Sequence, residues 1–383
     1  MPYGYLIGVV LMALLVLAAL RPPRRPQPLA RIAYIVSLAV NEWPLLFLAF
    51  LTWSTLDSAL TGSLLQTPAG WVLLGVAVVV AAGMVYLQVR ATKARPAVAE
   101  AIGEELEPTV SPWLSRLLPI PWRPRSVDRI AGVQYAPGGR EHQLDVYRQR
   151  GLTGRAPVLI YLHGGGYFSG GKHWEGRLLV NRMASRGWVV VSANYGLRPR
   201  VGYPEHLVDA KRVIAWIHRE ANRYGMDPTR IVMSGSSAGA HMSLLSALTP
   251  GDAVFQPGFE DIDTGLIAAV GLYGYYGRYY GRPATEDPAS TPFAFDARNA
   301  PPVFLTHGDV DNYTPVEAAR ALAEHLRAGS SRPVAYGELP GAQHGFDVLA
   351  SERFQAVVDG IEVFLDRVLA EVRAARGGRS STG

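Results

Sequence analysis

No cysteine occurs among the 383 residues, which excludes a disulfide framework, thiolate metal ligands and a cysteine nucleophile. Charge is sparse too, at 18% of residues against 49% hydrophobic, and a chain this apolar is not dominated by disorder. Residues 1–5 carry no basic side chain ahead of the first apolar run, and no Lys or Arg occurs between Ile32 and Val89. A basic stripe on a folded domain, which nucleic-acid binding requires, is also missing. Residues 1–100 hold seven Lys/Arg against three Asp/Glu and the rest of the chain 30 against 29, so the net charge of +5 lies mostly beside apolar segments. About 150 residues per domain allows two or three structural units.

What the first hundred residues do contain is three apolar segments. Residues 4–20 and 71–87 are uncharged, and 29–53 carries only Arg31 near its start and the pair Asn41-Glu42. A bilayer core about 30 Å thick takes about 20 helical residues. The segments therefore predict a helical transmembrane anchor of about three helices over residues 1–90. A cleaved signal peptide is the competing reading of the first segment, but Arg21, Arg24 and Arg25 follow that run instead of preceding it, the layout of an anchor. The positive-inside rule puts these arginines, Arg31, Arg90, Lys93 and Arg95 in the cytoplasm and the 54–70 loop outside. The expectation is a multi-pass membrane protein with the rest of the chain on the cytoplasmic side. Glu42 is expected at a kink made by Asn41-Glu42-Trp43-Pro44, paired to a neighbouring helix or to water, since no second intramembrane charge offers a relay partner.

Residues 91–127 change character, with several prolines and mixed charge, and read as a linker or cap. Trp113, Leu114, Leu117, Leu118, Ile120 and Trp122 alternate there with Arg116, Arg123 and Arg125, which suits either the membrane interface or packing on the following domain. From 129 onward strands and helices alternate. Strands are predicted at 129–135, 143–148, 158–162, 188–192, 230–233, 266–272, 302–306 and 334–339. Helices are predicted at 174–185, 206–224, 238–247, 315–327 and 353–375. This pattern implies an α/β domain over 128–376, a mostly parallel sheet flanked by helices on both faces. The Gly/Ser-rich residues 377–383 read as a flexible tail.

Gly235-Ser236-Ser237-Ala238-Gly239 lies between a predicted strand and a predicted helix. In that context G-x-S-x-G is a nucleophile elbow, its glycines permitting a strained turn that projects Ser237 above the sheet. A serine hydroxyl needs a base, itself oriented by an acid. His344, in Gly341-Ala342-Gln343-His344-Gly345, and the two acids of His307-Gly308-Asp309-Val310-Asp311 both follow strands, at the edge where open α/β sheets place their sites. Asp311 is taken over Asp309 on its position in the motif, in the chain order Ser, Asp, His. His163-Gly164-Gly165-Gly166-Tyr167 follows the 158–162 strand, and backbone N–H groups there, with that of Ala238, suit an oxyanion hole. A P-loop lysine is lacking and the spacing is not that of a dinucleotide fingerprint. His163 and His241 read as local hydrogen-bonding residues. No metal-ligand spacing is seen and no cofactor is required.

Together HGGGY, GSSAG, HGDVD and GAQHGF resemble the hormone-sensitive-lipase-like carboxylesterases of the α/β-hydrolase superfamily, over about residues 129–375. The run Phe255-Gln256-Pro257-Gly258-Phe259-Glu260, the Asn41-Glu42-Trp43-Pro44 segment and the apolar N-terminus are similar to the membrane-anchored esterase/lipase group of mycobacteria and related actinobacteria. That resemblance implies Ser237, Asp311 and His344 as the triad and Gly165, Gly166 and Ala238 as the oxyanion hole. It also implies short- to medium-chain acyl esters, small-molecule or lipid, as substrates. Tyr167 stands where relatives often carry Trp or Phe, which bears on pocket shape. Acyl transfer or amide hydrolysis by the same triad, and a hydrolase domain serving only as a binding module, are the rival readings. Acyl-chain length is expected to depend on how residues 249–264 and 273–299 fold over the pocket.

Overall fold

The computed structural model describes residues 3–62, 64–107, 117–283 and 285–380. Its first part holds helices α1 (Tyr3–Leu20), α2 (Gln27–Glu42), α3 (Pro44–Leu60) and α4 (Pro68–Thr92). Val9 and Val16 of α1, Leu51 of α3 and Leu73, Val80, Met84 and Leu87 of α4 bury one another in a single cluster. Outside that cluster the three helices remain apolar, with Ile7, Leu14, Trp53, Val72 and Val79 exposed.

The 29–53 run, expected as one span, is two helices meeting at 84°. Pro44 is the physical reason. It has no N–H to continue the helical ladder and restricts the residue before it, and Trp43 duly leaves the helical region at φ −139°, ψ 49°. Among the described residues α1 and α4 are long and apolar enough to cross a membrane, and the bent pair adds a third crossing if it acts as one span. The 91–127 linker is partly domain core: α5 (Ala94–Ile102) buries Ala94, Val98 and Ile102 among strand and helix residues of the α/β domain. Leu117 accepts from Trp43 Nε1 at 2.5 Å and Pro119 from the Ala350 N–H at 2.8 Å, so the end of the stretch packs on that domain. Trp113, Leu114 and Arg116 lie outside the described residues.

The α/β domain is an eight-stranded sheet in the order β1-β2-β4-β3-β5-β6-β7-β8. The strands are β1 (Val127–Gln134), β2 (Gln143–Gln149), β3 (Ala156–Leu162), β4 (Val189–Ala193), β5 (Met226–Ser236), β6 (Ala268–Leu272), β7 (Val303–Gly308) and β8 (Val334–Leu339). Pairings β1–β2 and β2–β4 are antiparallel and the others parallel. The central strands read as unbroken apolar runs because both faces are covered. Leu159 and Tyr161 point to the face carrying α5, α6 (Arg177–Ser185) and α10 (Glu352–Ser380). Val158, Ile160 and Leu162 point to the face carrying α7 (Glu205–Tyr224) and α8 (Ala238–Leu248). Helix α9 (Val316–Gly329) extends the second layer through Ala319, Leu322 and Leu326. Helix α10 continues to Ser380, past the expected start of the tail, and 381–383 are outside the described residues.

Register fixes where chemistry can gather. Leu162 pairs with Gly235, Ser236 with Leu272, and Gly308 with Leu339, so the loops after β3, β5, β7 and β8 leave the same sheet edge. The chain passes from β3 outward to β4 on one side and to β5 on the other, making the crevice between β3 and β5 the topological switch point.

Candidate active site

Strand β5 ends at Ser236 and α8 begins at Ala238, leaving Ser237 alone in the turn at φ 52°, ψ −113°. A non-glycine residue in that region is strained, and the strain lifts the hydroxyl above the sheet. The flanking glycines are dictated by packing. A Cβ on Gly239 would lie 2.1 Å from the Leu162 carbonyl oxygen, and one on Gly235 would lie 2.4 Å from the Gly239 carbonyl carbon.

The structure brings the three residues singled out for the triad together. His344 Nε2 lies 3.0 Å from Ser237 Oγ, and His344 Nδ1 lies 2.8 Å from Asp311 Oδ2. A carboxylate can only accept, so the imidazole proton sits on Nδ1 and Nε2 is free to take the serine proton. Asp311 is itself held rigidly: Oδ1 accepts from the N–H groups of Tyr313 and Thr314, both at 2.8 Å, and Oδ2 from Thr314 Oγ1 at 3.0 Å. Burial acts to raise its pKa, yet His344 and His307, by charge and hydrogen bond, hold it well below the ordinary carboxylate range. Asp309, the other candidate acid, instead accepts from the Gly341 N–H at 2.6 Å and so braces the start of the histidine loop.

Gly165, Gly166 and Tyr167 all have positive φ, at 94°, 60° and 67°. Only glycine fits at 165, where a Cβ would sit 2.0 Å from the Ser169 carbonyl oxygen. The Gly164 N–H is already taken, donating to Glu175 Oε2 at 2.5 Å. The Gly165 and Gly166 backbone lines the cavity that holds Ser237 and His344, and Ala238 follows Ser237 directly. Tyr167 does not shape that cavity. It is buried, stacked on His206 with centroids 4.7 Å apart, and its hydroxyl meets His241 Nδ1 at 2.6 Å. Burial pushes both His163 and His241 down to about 4, so both are neutral packing residues. Among the described residues no cluster of three or more His, Asp or Glu is arranged to hold a metal ion.

Two carboxyl groups went unread in the sequence. Asp347 lies buried beneath the elbow, accepting from Tyr161 at 2.9 Å, from Ser236 at 2.5 Å and from Tyr273. Glu175 enters the cavity that holds Ser237, and burial, then the charge of Asp347, raise its pKa to about 8. Neither stands in a recognisable motif; only the fold brings them under Ser237.

The cavity has a volume of about 620 Å³, with Arg31, Tyr34 and Ile35 of α2 along one side and Trp174, Glu175 and Val348 among the others. A second chamber of about 710 Å³ adjoins it across Tyr313 and is lined by Phe168, Arg198, Tyr275 and Tyr280. Residues 273–299 thus contribute to the walls. The 249–264 segment does not: Thr249 and Gln256 accept from Lys211 of α7, and Phe259 packs on Val208 and Ala215. Tyr34 packs edge-on against His344 with centroids 5.7 Å apart.

A serine on a strand-to-helix elbow, with its histidine and aspartate on later loops of a mostly parallel sheet, defines an α/β-hydrolase. Residues 144–271 match the family model BD-FAE. The chain is 38% identical over 266 residues to the probable carboxylic ester hydrolase LipM of Mycobacterium tuberculosis, covering 63% of this chain and 62% of LipM. It is 37% identical over 285 residues to esterase LipQ of the same organism, covering 68% of this chain and 67% of LipQ. Among solved structures, esterase 2 of Thermogutta terrifontis superposes with a TM-score of 0.54 at 25% identity, over 64% of this chain and 95% of that one. The chain belongs to the hormone-sensitive-lipase-like carboxylesterase family, in its mycobacterial group.

Proposed function

We propose that the protein is a membrane-anchored serine carboxylesterase/lipase that hydrolyses acyl esters through an acyl-enzyme. The observation that carries this reading is the continuous relay from Ser237 Oγ through His344 to Asp311, at 3.0 and 2.8 Å, facing the Gly165–Gly166 backbone inside one cavity. His344 Nε2 takes the Ser237 proton as Oγ attacks the ester carbonyl. The N–H groups of Gly165, Gly166 and Ala238 stabilise the oxyanion, and each such donor contributes on the order of 3 kcal/mol to lowering the barrier. The tetrahedral species collapses, His344 protonates the leaving alcohol, and a water activated by the same imidazole releases the acid. Asp311 stays ionised and holds the ring in the required tautomer. The likeness to LipM, a probable carboxylic ester hydrolase, and to the esterase LipQ supports the ester as the bond cleaved. Short- to medium-chain acyl groups are the substrates we assign within that class.

Anchoring rests on α1, α3 and α4, of 18, 17 and 25 residues, or about 27, 26 and 38 Å at about 1.5 Å per residue against a core of about 30 Å. The α/β domain, 128–376, is assigned to the cytoplasmic side because Arg21, Arg24, Arg25, Arg90, Lys93 and Arg95 flank the helix ends nearest it.

The test is hydrolysis of p-nitrophenyl esters from acetate to palmitate by detergent-solubilised full-length protein beside Ser237→Ala. Activity peaking at one chain length and lost in the variant is expected. Equal rates from both proteins across the series would reject the assignment.

A further inference from the structure

Helix α2 has the opposite polarity to a helix on a water-soluble domain. Its buried face is Ala30, Ala33, Ser37, Val40, Asn41 and Glu42. The polar members of that face serve the α/β domain: Ser37 Oγ donates to Gln343 Oε1 at 3.1 Å, Asn41 Nδ2 donates to the Gly341 carbonyl at 3.0 Å, and Glu42 pairs with Arg353. Its outward face is Leu29, Ile32, Ile35 and Val36, all 44–67% exposed. In water an amphipathic helix buries its apolar side and shows its polar one. Here four large apolar side chains are left uncovered on one face.

The bend says what covers them. Helix α2 meets α3 at 84°, so with α3 crossing a bilayer α2 lies along its surface. Helices that lie in this way sink an apolar face to the boundary between headgroups and acyl chains. The same helix forms one side of the catalytic cavity through Arg31, Tyr34 and Ile35. Trp174, 62% exposed, stands on that cavity's rim, and Phe168, 58% exposed, on that of the adjoining chamber. Exposed aromatic rings beside an arginine are the side-chain set of the headgroup region.

We infer that the catalytic cavity opens at the bilayer surface and that its substrates are amphiphilic esters already dissolved in the membrane, which reach Ser237 past Ile35 and Trp174 without passing through bulk water. This rests on the esterase reading above. Even a medium-chain ester is costly to bring into water, in proportion to its methylene count, and a mouth level with the acyl chains removes that step.

The experiment uses full-length protein in phosphatidylcholine nanodiscs, with p-nitrophenyl butyrate as a soluble ester and the medium-chain didecanoylglycerol as a bilayer-dissolved one. The variant is Ile32→Glu/Val36→Glu, whose side chains lie on the outward face and not in the cavity. It is expected to keep p-nitrophenyl butyrate turnover within about twofold and to lose at least about tenfold on didecanoylglycerol, because charges resist insertion among acyl chains. A variant that turns over both esters like the wild type overturns the inference. So does wild-type protein that cleaves the soluble ester and not the bilayer ester, and that outcome leaves the esterase reading standing. Wild-type protein that cleaves neither removes both. If the variant loses both activities, a second measurement decides. The chain has no cysteine, so a bimane placed on Ile32→Cys is uniquely sited, with Arg223→Cys, near the end of α7 and close to the opposite sheet edge, as control. Quenching by brominated lipid at 32 and not at 223 supports the inference, and equal quenching or none overturns it.

Discussion

Replacing Glu42 by alanine should destabilise the protein far more than a single surface change. Arg353 is fully buried and Glu42 nearly so. The carboxylate accepts from Arg353 Nη1, from Ser351 Oγ at 2.7 Å and from Asn41 Nδ2 at 3.0 Å. Arg353 Nε and Nη2 have no hydrogen-bond partner among the described residues, so in Glu42→Ala the guanidinium keeps its charge and loses its acceptor. Breaking a buried pair from one side costs about 3–5 kcal/mol, which at about 2–4 °C per kcal/mol for a domain of this size lowers the melting temperature by on the order of 10 °C. The exposed pair Arg24–Glu317, at 3.6 Å with both side chains more than half exposed, is the internal control, and Glu317→Ala should cost under about 1 kcal/mol. Much of the Glu42 effect is the stranded charge, so Glu42→Ala/Arg353→Met should recover most of it. Thermal unfolding of wild type, Glu42→Ala, Arg353→Met and the double variant in detergent gives the cycle, with Glu317→Ala beside it. A Glu42→Ala protein melting within about 2 °C of wild type, or additive single and double variants, would refute the argument.

Other consequences can be checked at the site itself. Asp311→Asn should leave the melting temperature close to wild type while kcat drops by about 10⁴, since the amide stabilises the wrong imidazole tautomer; a loss below about tenfold would point to another acid. Gly239→Ala, whose Cβ has only 2.1 Å to the Leu162 carbonyl oxygen, should displace the elbow and abolish labelling of Ser237 by a fluorophosphonate. Glu175 is protonated below about pH 8 and ionises above it, which adds negative charge beside a serine that must carry an oxyanion. Wild-type kcat/KM should therefore fall as pH rises through about 8, and Glu175→Gln, which cannot ionise, should lack that decline. An unchanged alkaline limb in the variant counts against this role.

Much of the α/β domain could be read from the chain because its signals are local. β3 is a continuous apolar run, the elbow is five contiguous residues, and the loops carrying Asp311 and His344 begin within a few residues of strands whose ends the register aligns. The features that went unread depend on distant contacts. Hydropathy over 29–53 cannot distinguish one span from a helix pair, because the buried face of α2 is decided by Gly341, Gln343 and Arg353, some 300 residues later in the chain. Glu42 was expected to pair with a neighbouring helix or water, and its partner Arg353 lies in the α/β domain for the same reason. The family resemblance tied Tyr167 to pocket shape, but its positive φ turns the ring into an aromatic cluster with Tyr195, His206 and Tyr279.

The hydrogen bonds that tie the histidine loop to the N-terminal helices also set an order of events in biosynthesis. Gly341 accepts from Asn41 and Arg90, and Gln343 donates to the Ala18 carbonyl and accepts from Ser37. At about 5–20 residues per second, the ribosome needs about 15–60 s to travel from Asn41 to Gly341. On the anchored reading proposed above, the N-terminal helices are made and inserted long before His344 leaves the ribosome. His344 then docks onto a scaffold already at the bilayer, so on that reading the Ser237 hydroxyl gains its base only after the chain has reached the membrane.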